Sequence, residues 1–148
     1  MDKEYMRVAL QEAKKAYKKG EIPVGAIIVK EGKIIGRGHN LKETTKDPTQ
    51  HAEIVAIRDA VKSLGDWRLN GATMYVTKEP CVMCAGAIIE ARIERVVLGV
   101  IDREKGAFGG KFNILNILGA KIIVEKEVLS QESKKLLLSF FENLRRGG

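Results

Sequence analysis

The sequence predicts an α/β fold in three layers, α/β/α, with a mixed sheet of five strands at its centre. Short runs rich in β-branched residues alternate with amphipathic helical segments, a tight turn joins the first two runs, and a long connection joins the last two. Alternating strands and helices are typical of α/β domains. A tight turn makes neighbouring strands antiparallel and a long connection permits a parallel crossover, so the sheet is expected to contain both arrangements.

The chain opens with a helix and a hairpin. Apolar residues recur at three- and four-residue steps in residues 2–19, where Asp2 can cap a helix and Gly20 can end it. Residues 24–30 are rich in β-branched side chains, a Glu-Gly pair then suits a tight turn, and residues 34–38 follow as a second strand.

Two further helices are predicted in the middle of the chain. Asp47-Pro48 places a capping residue before a proline, which favours the start of a second helix, and Gly65 can end it. Residues 73–77 form the third predicted strand, and Pro80 is predicted to begin a third helix.

The last third of the chain completes the sheet. Strands are predicted over residues 95–100 and 121–125, separated by a glycine-rich loop and an apolar segment, 112–118, that can form a short helix. A final helix is expected over residues 130–146 with Ser130 as its cap. Its apolar face is expected to consist of Leu137, Phe140, Phe141 and Leu144.

Length and composition favour one compact domain, residues 1–148. No apolar run approaches the length of a membrane span, and the start of the chain lacks an apolar signal segment, so a cytoplasmic protein without membrane contact is expected. The net charge of +7 suits a polyanionic partner such as nucleic acid, although basic residues spread over helices are also typical of a solvated surface.

Two short motifs carry metal-binding chemistry: His51-Ala52-Glu53, and Pro80-Cys81-Val82-Met83-Cys84 further along. One imidazole and two thiols provide three ligands for Zn²⁺ and leave a fourth position for water, as in catalytic zinc sites. Glu53 can reach such a water without binding the metal, which suits a general acid and base. The pattern is typical of zinc deaminases that act on nucleobases.

Three other interpretations of the two cysteines remain open: a redox pair, a structural zinc site and a chance spacing. A redox Cys-x-x-Cys needs neither His51 nor Glu53. A structural zinc site would need a fourth ligand, for which His39 or a carboxylate is available. His39 itself is expected at the end of a strand rather than in a metal site.

Other residues are candidates for contacts with a substrate. Asn40 could hydrogen-bond a base edge or make a turn. Asp102 and the glycine-rich loop after it could line a nucleotide pocket or merely reverse the chain. Phe140, Phe141, Arg145 and Arg146 could contact nucleic acid, although two phenylalanines on one helix face are more typical of the core. Lys78 could contact a phosphate or be an exposed strand residue.

The two motifs belong to a longer pattern. It includes Glu79 before the cysteine motif, Glu21-Ile22-Pro23-Val24-Gly25-Ala26, Trp67-Arg68-Leu69 and Leu138-Ser139-Phe140-Phe141. In these residues the chain resembles the cytidine deaminase-like superfamily of zinc deaminases and, within it, the bacterial tRNA-specific adenosine deaminases. It departs from them at Gln50, at Lys78 and in a shortened segment around residues 118–121.

The resemblance implies the cytidine deaminase-like fold, one Zn²⁺ per subunit, and hydrolysis of the wobble adenosine of a tRNA anticodon loop, with an arginine tRNA as the expected substrate. It also implies a homodimer whose two subunits both contact the loop. The implied site residues are His51, Cys81 and Cys84 as zinc ligands, Glu53 as the proton shuttle, and Asn40, the backbone at Ala52, and Asp102 as contacts to the nucleotide. Phe141 is a further candidate for a substrate contact.

Two other functions remain open. Residues 36–40 and 119–122 are similar to fungal cytosine deaminase, and Asp47-Pro48-Thr49 is shared with guanine deaminase, so a free-nucleobase deaminase of cytosine or guanine is one alternative. A catalytically silent RNA-binding subunit that keeps zinc for folding is the other. Glu53 argues against the second alternative, because a subunit without chemistry has little use for a proton shuttle.

Overall fold

The computed structural model describes residues 1–147, and these form six helices and five strands. The elements are α1 (Asp2–Lys18), β1 (Gly25–Lys30), β2 (Lys33–His39), α2 (Lys42–Thr45), α3 (Ala52–Leu64), β3 (Thr73–Lys78), α4 (Val82–Glu90), β4 (Arg95–Val100), α5 (Ile114–Leu118), β5 (Ile123–Glu125) and α6 (Ser130–Arg145). Their order agrees with the sequence prediction except for α2, a single helical turn that the sequence pattern does not predict.

The strands form a mixed sheet in the order β2-β1-β3-β4-β5. Strand β1 pairs antiparallel with β2 and β3, whereas β3 and β4, and β4 and β5, are parallel. Helices α1 and α6 pack on one face of the sheet, and α3 and α4 cover the other. The predicted three-layer α/β/α fold with a mixed five-stranded sheet is therefore confirmed.

The central strands contribute to the cores on both faces of the sheet. In β1, Ile28 packs in the same cluster as Ala56 of α3, whereas its neighbour Ile27 packs with Met6 of α1. Side chains alternate between the two faces of a strand, so a strand covered on both sides is apolar along most of its length. The loops that follow these strands therefore begin from a sheet that is packed on both faces.

Small residues bring α3 close to β2. A Cβ on Gly36 would overlap the backbone of Ala56, and a Cβ on Gly38 would overlap the backbone of Ala52. Both alanines are fully buried. Because neither glycine has a side chain, α3 packs directly on the strand, which fixes the first turn of the helix and His51 before it.

Two predicted helix starts are wrong by two to five residues. Helix α3 begins at Ala52, not at Asp47-Pro48. The Asp47 carboxylate instead accepts hydrogen bonds from the backbone N–H and the hydroxyl of Thr49, at 2.9 and 2.7 Å, and closes a local turn. Helix α4 begins at Val82, because Pro80 lies in the preceding loop, where its carbonyl accepts a hydrogen bond from the backbone N–H of Ala107.

Two predicted helix caps are also wrong. The Asp2 carboxylate does not cap α1 but forms an ion pair with Arg95 at 2.6 Å and accepts a hydrogen bond from the Tyr75 hydroxyl at 2.8 Å. Ser130 is the first residue of α6, and Leu129 occupies the capping position with a φ of 52°. The contact of Asp2 with a distant strand takes the place of a local cap.

The predicted apolar face of α6 is only partly buried. Phe140 is 8% exposed, whereas Phe141 and Leu144 are 41% and 53% exposed. The exposed side chains lie beside a cavity rather than in the core. Within residues 1–147, no helix combines the length and the apolar character needed to span a membrane.

Candidate active site

Two helix N-termini bring the zinc motifs together. His51 is the residue before α3 and Cys81 is the residue before α4, both with extended backbone conformations, and Cys84 lies in the first turn of α4. Neither His51 nor Cys81 uses its side chain to cap its own helix, so the imidazole and the thiol face each other instead. The positive ends of both helices favour thiolate and other negative charge at this point.

The three predicted zinc-binding side chains form a compact group. The Nδ1 atom of His51 lies 3.7 Å from the Cys81 sulfur and 3.5 Å from the Cys84 sulfur. Bond lengths of about 2.1 Å to nitrogen and about 2.3 Å to sulfur in a tetrahedral zinc site separate the two kinds of ligand by about 3.6 Å. All three donor atoms lie within 4.8 Å of one another. The residues present therefore fit a zinc ion with a fourth position open.

The contacts among these side chains shift their pKa values. Cys81 forms a hydrogen bond with Cys84 and another with His51, and these lower the pKa of Cys81 to about 3 despite burial. The same contact, together with burial, raises the pKa of Cys84. The hydrogen bond with Cys81 raises the pKa of His51. The group thus holds negative charge readily, and a divalent cation at its centre would favour two thiolates and a neutral imidazole.

Glu53 lies beside this group in the first turn of α3. Its side chain is 4% exposed and lines the same cavity as His51 and Cys81. Burial, and the nearby charge of Cys81, raise the pKa of Glu53 to about 7, although His51 and Lys78 act in the opposite direction. A carboxyl group with a pKa near neutrality can both accept and donate a proton, as a general acid and base must.

The cavity has a volume of about 620 Å³, which is in the range of small-ligand pockets. Its walls come from the residues after β2, the end of β3, the loop after β4, and α6. The polar and aromatic residues that line it include Asn40, Lys42, Lys78, Asp102, Lys105, Phe140 and Phe141. Among the predicted substrate-contact residues, Asn40, Asp102 and Phe141 line this cavity, whereas Ala52 does not.

Asn40 connects the end of β2 to the start of α3. Its Oδ1 accepts a hydrogen bond from the backbone N–H of Ala52 at 2.9 Å, and its Nδ2 donates one to the carbonyl of Ile22 at 2.9 Å. The second N–H of the Asn40 amide is left for a ligand. Ala52 is fully buried and its N–H is bonded within the protein. The contact of the Ala52 backbone with a base therefore stays a prediction.

Asp102 also lines the cavity and belongs to a hydrogen-bond network of its own. Its Oδ1 accepts hydrogen bonds from the backbone N–H groups of Glu104 and Lys105, at 2.9 and 3.1 Å, and its Oδ2 lies 3.3 Å from Lys78 Nζ. Burial raises the pKa of this carboxyl, but these hydrogen bonds and the charge of Lys78 outweigh it, so the pKa lies below its ordinary value. Asp102 therefore offers negative charge beside a lysine.

Two buried carboxylates near the cavity are not predicted from the sequence as functional residues. Glu21 is 1% exposed and accepts hydrogen bonds from the backbone N–H groups of Glu43 and Thr44, at 3.0 and 2.6 Å, which holds α2 in place. Glu79 is 4% exposed and binds the glycine-rich loop. The density of glycines in that loop is the one sequence signal that its backbone approaches another group closely.

His39 has a separate structural role. It ends β2, and its Nδ1 lies 2.9 Å from a carboxylate oxygen of Glu12, while its Nε2 lies 2.9 Å from Lys19 Nζ. Among residues 1–147, the group able to hold a metal consists of His51, Cys81 and Cys84 and does not include His39. A structural zinc site closed by His39 is therefore not supported.

Comparisons with known proteins agree with this fold and site. The family model for the cytidine and deoxycytidylate deaminase zinc-binding region matches residues 1–100. The chain therefore belongs to the cytidine and deoxycytidylate deaminase family, whose cofactor is zinc.

Two relatives that match nearly the whole chain carry the same name. The chain is 47% identical to the tRNA-specific adenosine deaminase of Bacillus subtilis (strain 168), over 98% of this chain and 91% of the relative. It is 48% identical to the protein of the same name from Aquifex aeolicus (strain VF5), over 98% and 97%. A solved structure from work on A-to-I editing by tRNA:A34 deaminases superposes with a TM-score of 0.84 at 38% identity, over 90% of this chain and 99% of the other. The resemblance noted in the sequence is thus confirmed.

Proposed function

We propose that the chain is a zinc-dependent hydrolase that converts adenosine to inosine at the wobble position of a tRNA anticodon loop. The observation that carries this proposal is the buried Glu53 carboxyl in the same cavity as His51 and Cys81, whose donor atoms and that of Cys84 lie within 4.8 Å of one another, as zinc ligands must. Relatives that match nearly the whole chain and are named tRNA-specific adenosine deaminases identify the substrate class. An arginine tRNA is the substrate we expect.

The residues have separate roles in this reaction. His51, Cys81 and Cys84 would hold the zinc ion, which would supply the Lewis acidity that makes water a nucleophile near neutral pH. Glu53 takes a proton from the attacking water and delivers it to the ring nitrogen, then takes the proton of the new C6 hydroxyl and delivers it to the leaving amine. A C–O bond forms and a C–N bond breaks at C6 of the base, so adenosine and water give inosine and ammonia.

We assign recognition of the base to Asn40. The second N–H of the Asn40 amide can donate to a hydrogen-bond acceptor on the edge of the base. The bond from the Ala52 N–H to Asn40 Oδ1 fixes this amide next to His51. The Ala52 backbone acts in this proposal chiefly by orienting Asn40. Phe141, on the exposed side of α6 beside the cavity, provides an aromatic surface for stacking against the base or a neighbouring nucleotide.

The rest of the proposal concerns the RNA and the assembly. A cavity of this kind can receive only an unpaired base that has left its stack, which an anticodon loop can present. The net charge of +7 favours the phosphate backbone. By resemblance to the family, we expect the enzyme to work in the cytoplasm as a homodimer whose subunits both contact the loop.

Ammonia release tests the proposal. The zinc-loaded protein is offered, in parallel, an arginine tRNA with adenosine at the wobble position, the same tRNA with guanosine there, free cytosine, free guanine and free adenosine. We expect release from the wobble-adenosine tRNA alone, with a rate that falls steeply as salt increases. Activity on a free base with none on tRNA would overturn the proposal, and so would equal turnover of the guanosine-containing tRNA.

A further inference from the structure

Glu79 is a buried carboxylate that the deamination chemistry does not use. It follows the last residue of β3 and is 4% exposed. Its partners are backbone N–H groups: Oε1 accepts from Asp102, and Oε2 accepts from Phe108 and Gly110, all at 2.9 Å. A carboxyl group that accepts several backbone N–H groups holds those groups firmly in place.

The loop that Glu79 binds is shaped around this carboxylate. A Cβ on Gly106 or Gly110 would overlap both the Glu79 carboxylate and the carbonyl oxygen of Asp102. Both positions therefore require glycine for close approach rather than for an unusual φ. Further hydrogen bonds, from the N–H of Gly106 to the Asp102 carbonyl at 3.0 Å and from the N–H of Ala107 to the Pro80 carbonyl at 3.0 Å, close the loop on itself and on the start of the cysteine motif.

Lys78 holds the same loop from the cavity side. Its Nζ lies 3.3 Å from Asp102 Oδ2, while the next residue, Glu79, accepts the backbone N–H of Asp102. Two adjacent residues at the end of β3 thus hold Asp102 by its side chain and by its backbone. Asp102 and Lys105 both line the cavity.

We propose that Glu79 is a positioning residue for substrate binding: it fixes the loop of residues 102–110 as a ready-formed wall of the cavity, so that Asp102 and Lys105 meet the nucleotide in a set orientation. The inference rests on the proposed function and deepens it. A wall that is already ordered loses little conformational freedom when substrate binds, so the effect of Glu79 lies in affinity. The chemical step, which depends on Glu53 and the zinc ligands, does not require it.

The test is steady-state kinetics of Glu79→Gln on an anticodon stem-loop of an arginine tRNA with wobble adenosine. Glutamine keeps the shape but offers only one acceptor oxygen to three N–H groups and turns an N–H₂ group toward donors. We expect KM to rise about tenfold or more, which is the size of effect that follows from losing a charge-assisted hydrogen bond. The kcat should stay within about threefold of wild type, and the zinc content should be unchanged. The matched control is Glu90→Gln, an exposed glutamate on α4 away from the cavity, which should leave KM unchanged.

A double-mutant cycle with Asp102→Asn tests whether Glu79 acts through the loop. Asp102→Asn alone should raise KM, and the double variant should raise it by clearly less than the product of the two single effects, because both changes remove the same wall. A fall in kcat at unchanged KM, loss of zinc, or fully multiplicative effects on KM would overturn the inference. If Glu79→Gln does not fold, Asp102→Asn decides the matter alone, since an unchanged KM would show that this loop is not a substrate wall.

The wild-type protein separates this inference from the proposed function. If it fails to deaminate the stem-loop but deaminates a free base, the proposed function is wrong, and the same KM comparison is made with that base. If it deaminates the stem-loop and Glu79→Gln has wild-type KM, the inference alone is wrong.

Discussion

Glu53 and Glu79 are equally buried glutamates on the same cavity, each 4% exposed, but their hydrogen-bond partners differ. Glu53 lies beside the Cys81 thiol, and burial raises its pKa to about 7. Glu79 receives three backbone N–H groups at 2.9 Å. Burial alone therefore does not set the role of a carboxyl group. A buried glutamate whose surroundings disfavour its charged form can exchange protons, whereas one that accepts several backbone N–H groups holds that backbone in place.

The largest expected difference between the two glutamates is in catalysis. Glu53→Ala should lower kcat by about 10²- to 10⁴-fold or more, because it removes the general acid and base, while zinc content and the circular dichroism spectrum stay at wild-type values. Ammonia release, metal analysis and thermal melting measure these effects. Unchanged activity would instead favour a catalytically silent zinc protein and remove the distinction between Glu53 and Glu79.

Zinc removal should separate the two regions in a different way. Chelation, or Cys84→Ala, should lower the Tm by on the order of 10 °C, because zinc binds the folded arrangement of the three ligands. Added Zn²⁺ should restore the Tm of the chelated wild type but not that of Cys84→Ala. Hydrogen exchange should show that the amides of Phe108 and Gly110, which Glu79 binds, lose less protection than the first turns of α3 and α4. Equal Tm values with and without chelator would contradict the assigned ligands.

The glycines around Glu79 allow a test that does not involve the metal. Gly110→Ala should destabilise the protein by about 1–3 kcal/mol, because the added methyl group would overlap the Glu79 carboxylate and the Asp102 carbonyl. Gly86, in the middle of α4, has open space around its Cβ position, so Gly86→Ala should stabilise by about 0.5–1 kcal/mol. Urea unfolding measures both, and a neutral Gly110→Ala would mean that the loop is not held against Glu79.

The smallest expected effect concerns Glu21, a third buried glutamate. Burial raises its pKa, but the hydrogen bonds from Thr44 and Glu43 outweigh burial, so its pKa lies below the ordinary value of 4.5. Its contribution to stability is therefore present above pH 4.5 and is lost as the pH falls through its lower folded-state pKa. The free energy of unfolding of Glu21→Gln should differ from wild type by about 1 kcal/mol at pH 7 and converge with it in acid. A difference that grows in acid would contradict the sign of the shift.

Much of the fold could be predicted because its signals are local. Strand β4 (Arg95–Val100) has both predicted ends, Gly65 ends α3 in a left-handed conformation, and Glu31 and Gly32 both adopt positive φ in the predicted turn. The starts of α3 and α4 could not be predicted as well. The Asp47 carboxylate accepts a hydrogen bond from the nearby Thr49 instead of capping α3. The carbonyl of Pro80 accepts one from a loop that is distant in sequence.

The candidate site likewise contains residues that could be predicted from the sequence and residues that could not. His51, Cys81 and Cys84 could be selected because imidazole and thiol groups at such spacing have few other uses, and the structure brings their donor atoms within 4.8 Å. Glu79 could not be selected in the same way, because its partners are backbone N–H groups that every residue except proline possesses. Only the distance in space between β3 and the glycine-rich loop reveals its role.

The separation of the zinc ligands along the chain has a further consequence, for the unfolded protein. His51 and Cys84 are 33 positions apart. If zinc stays bound to both in the unfolded chain, it closes a ring of that size, and the loop-entropy relation for a cross-link gives about 4 kcal/mol of lost unfolded-state freedom. Zinc then acts as a reversible cross-link that restricts the unfolded chain. It also holds together the two segments that become the starts of α3 and α4.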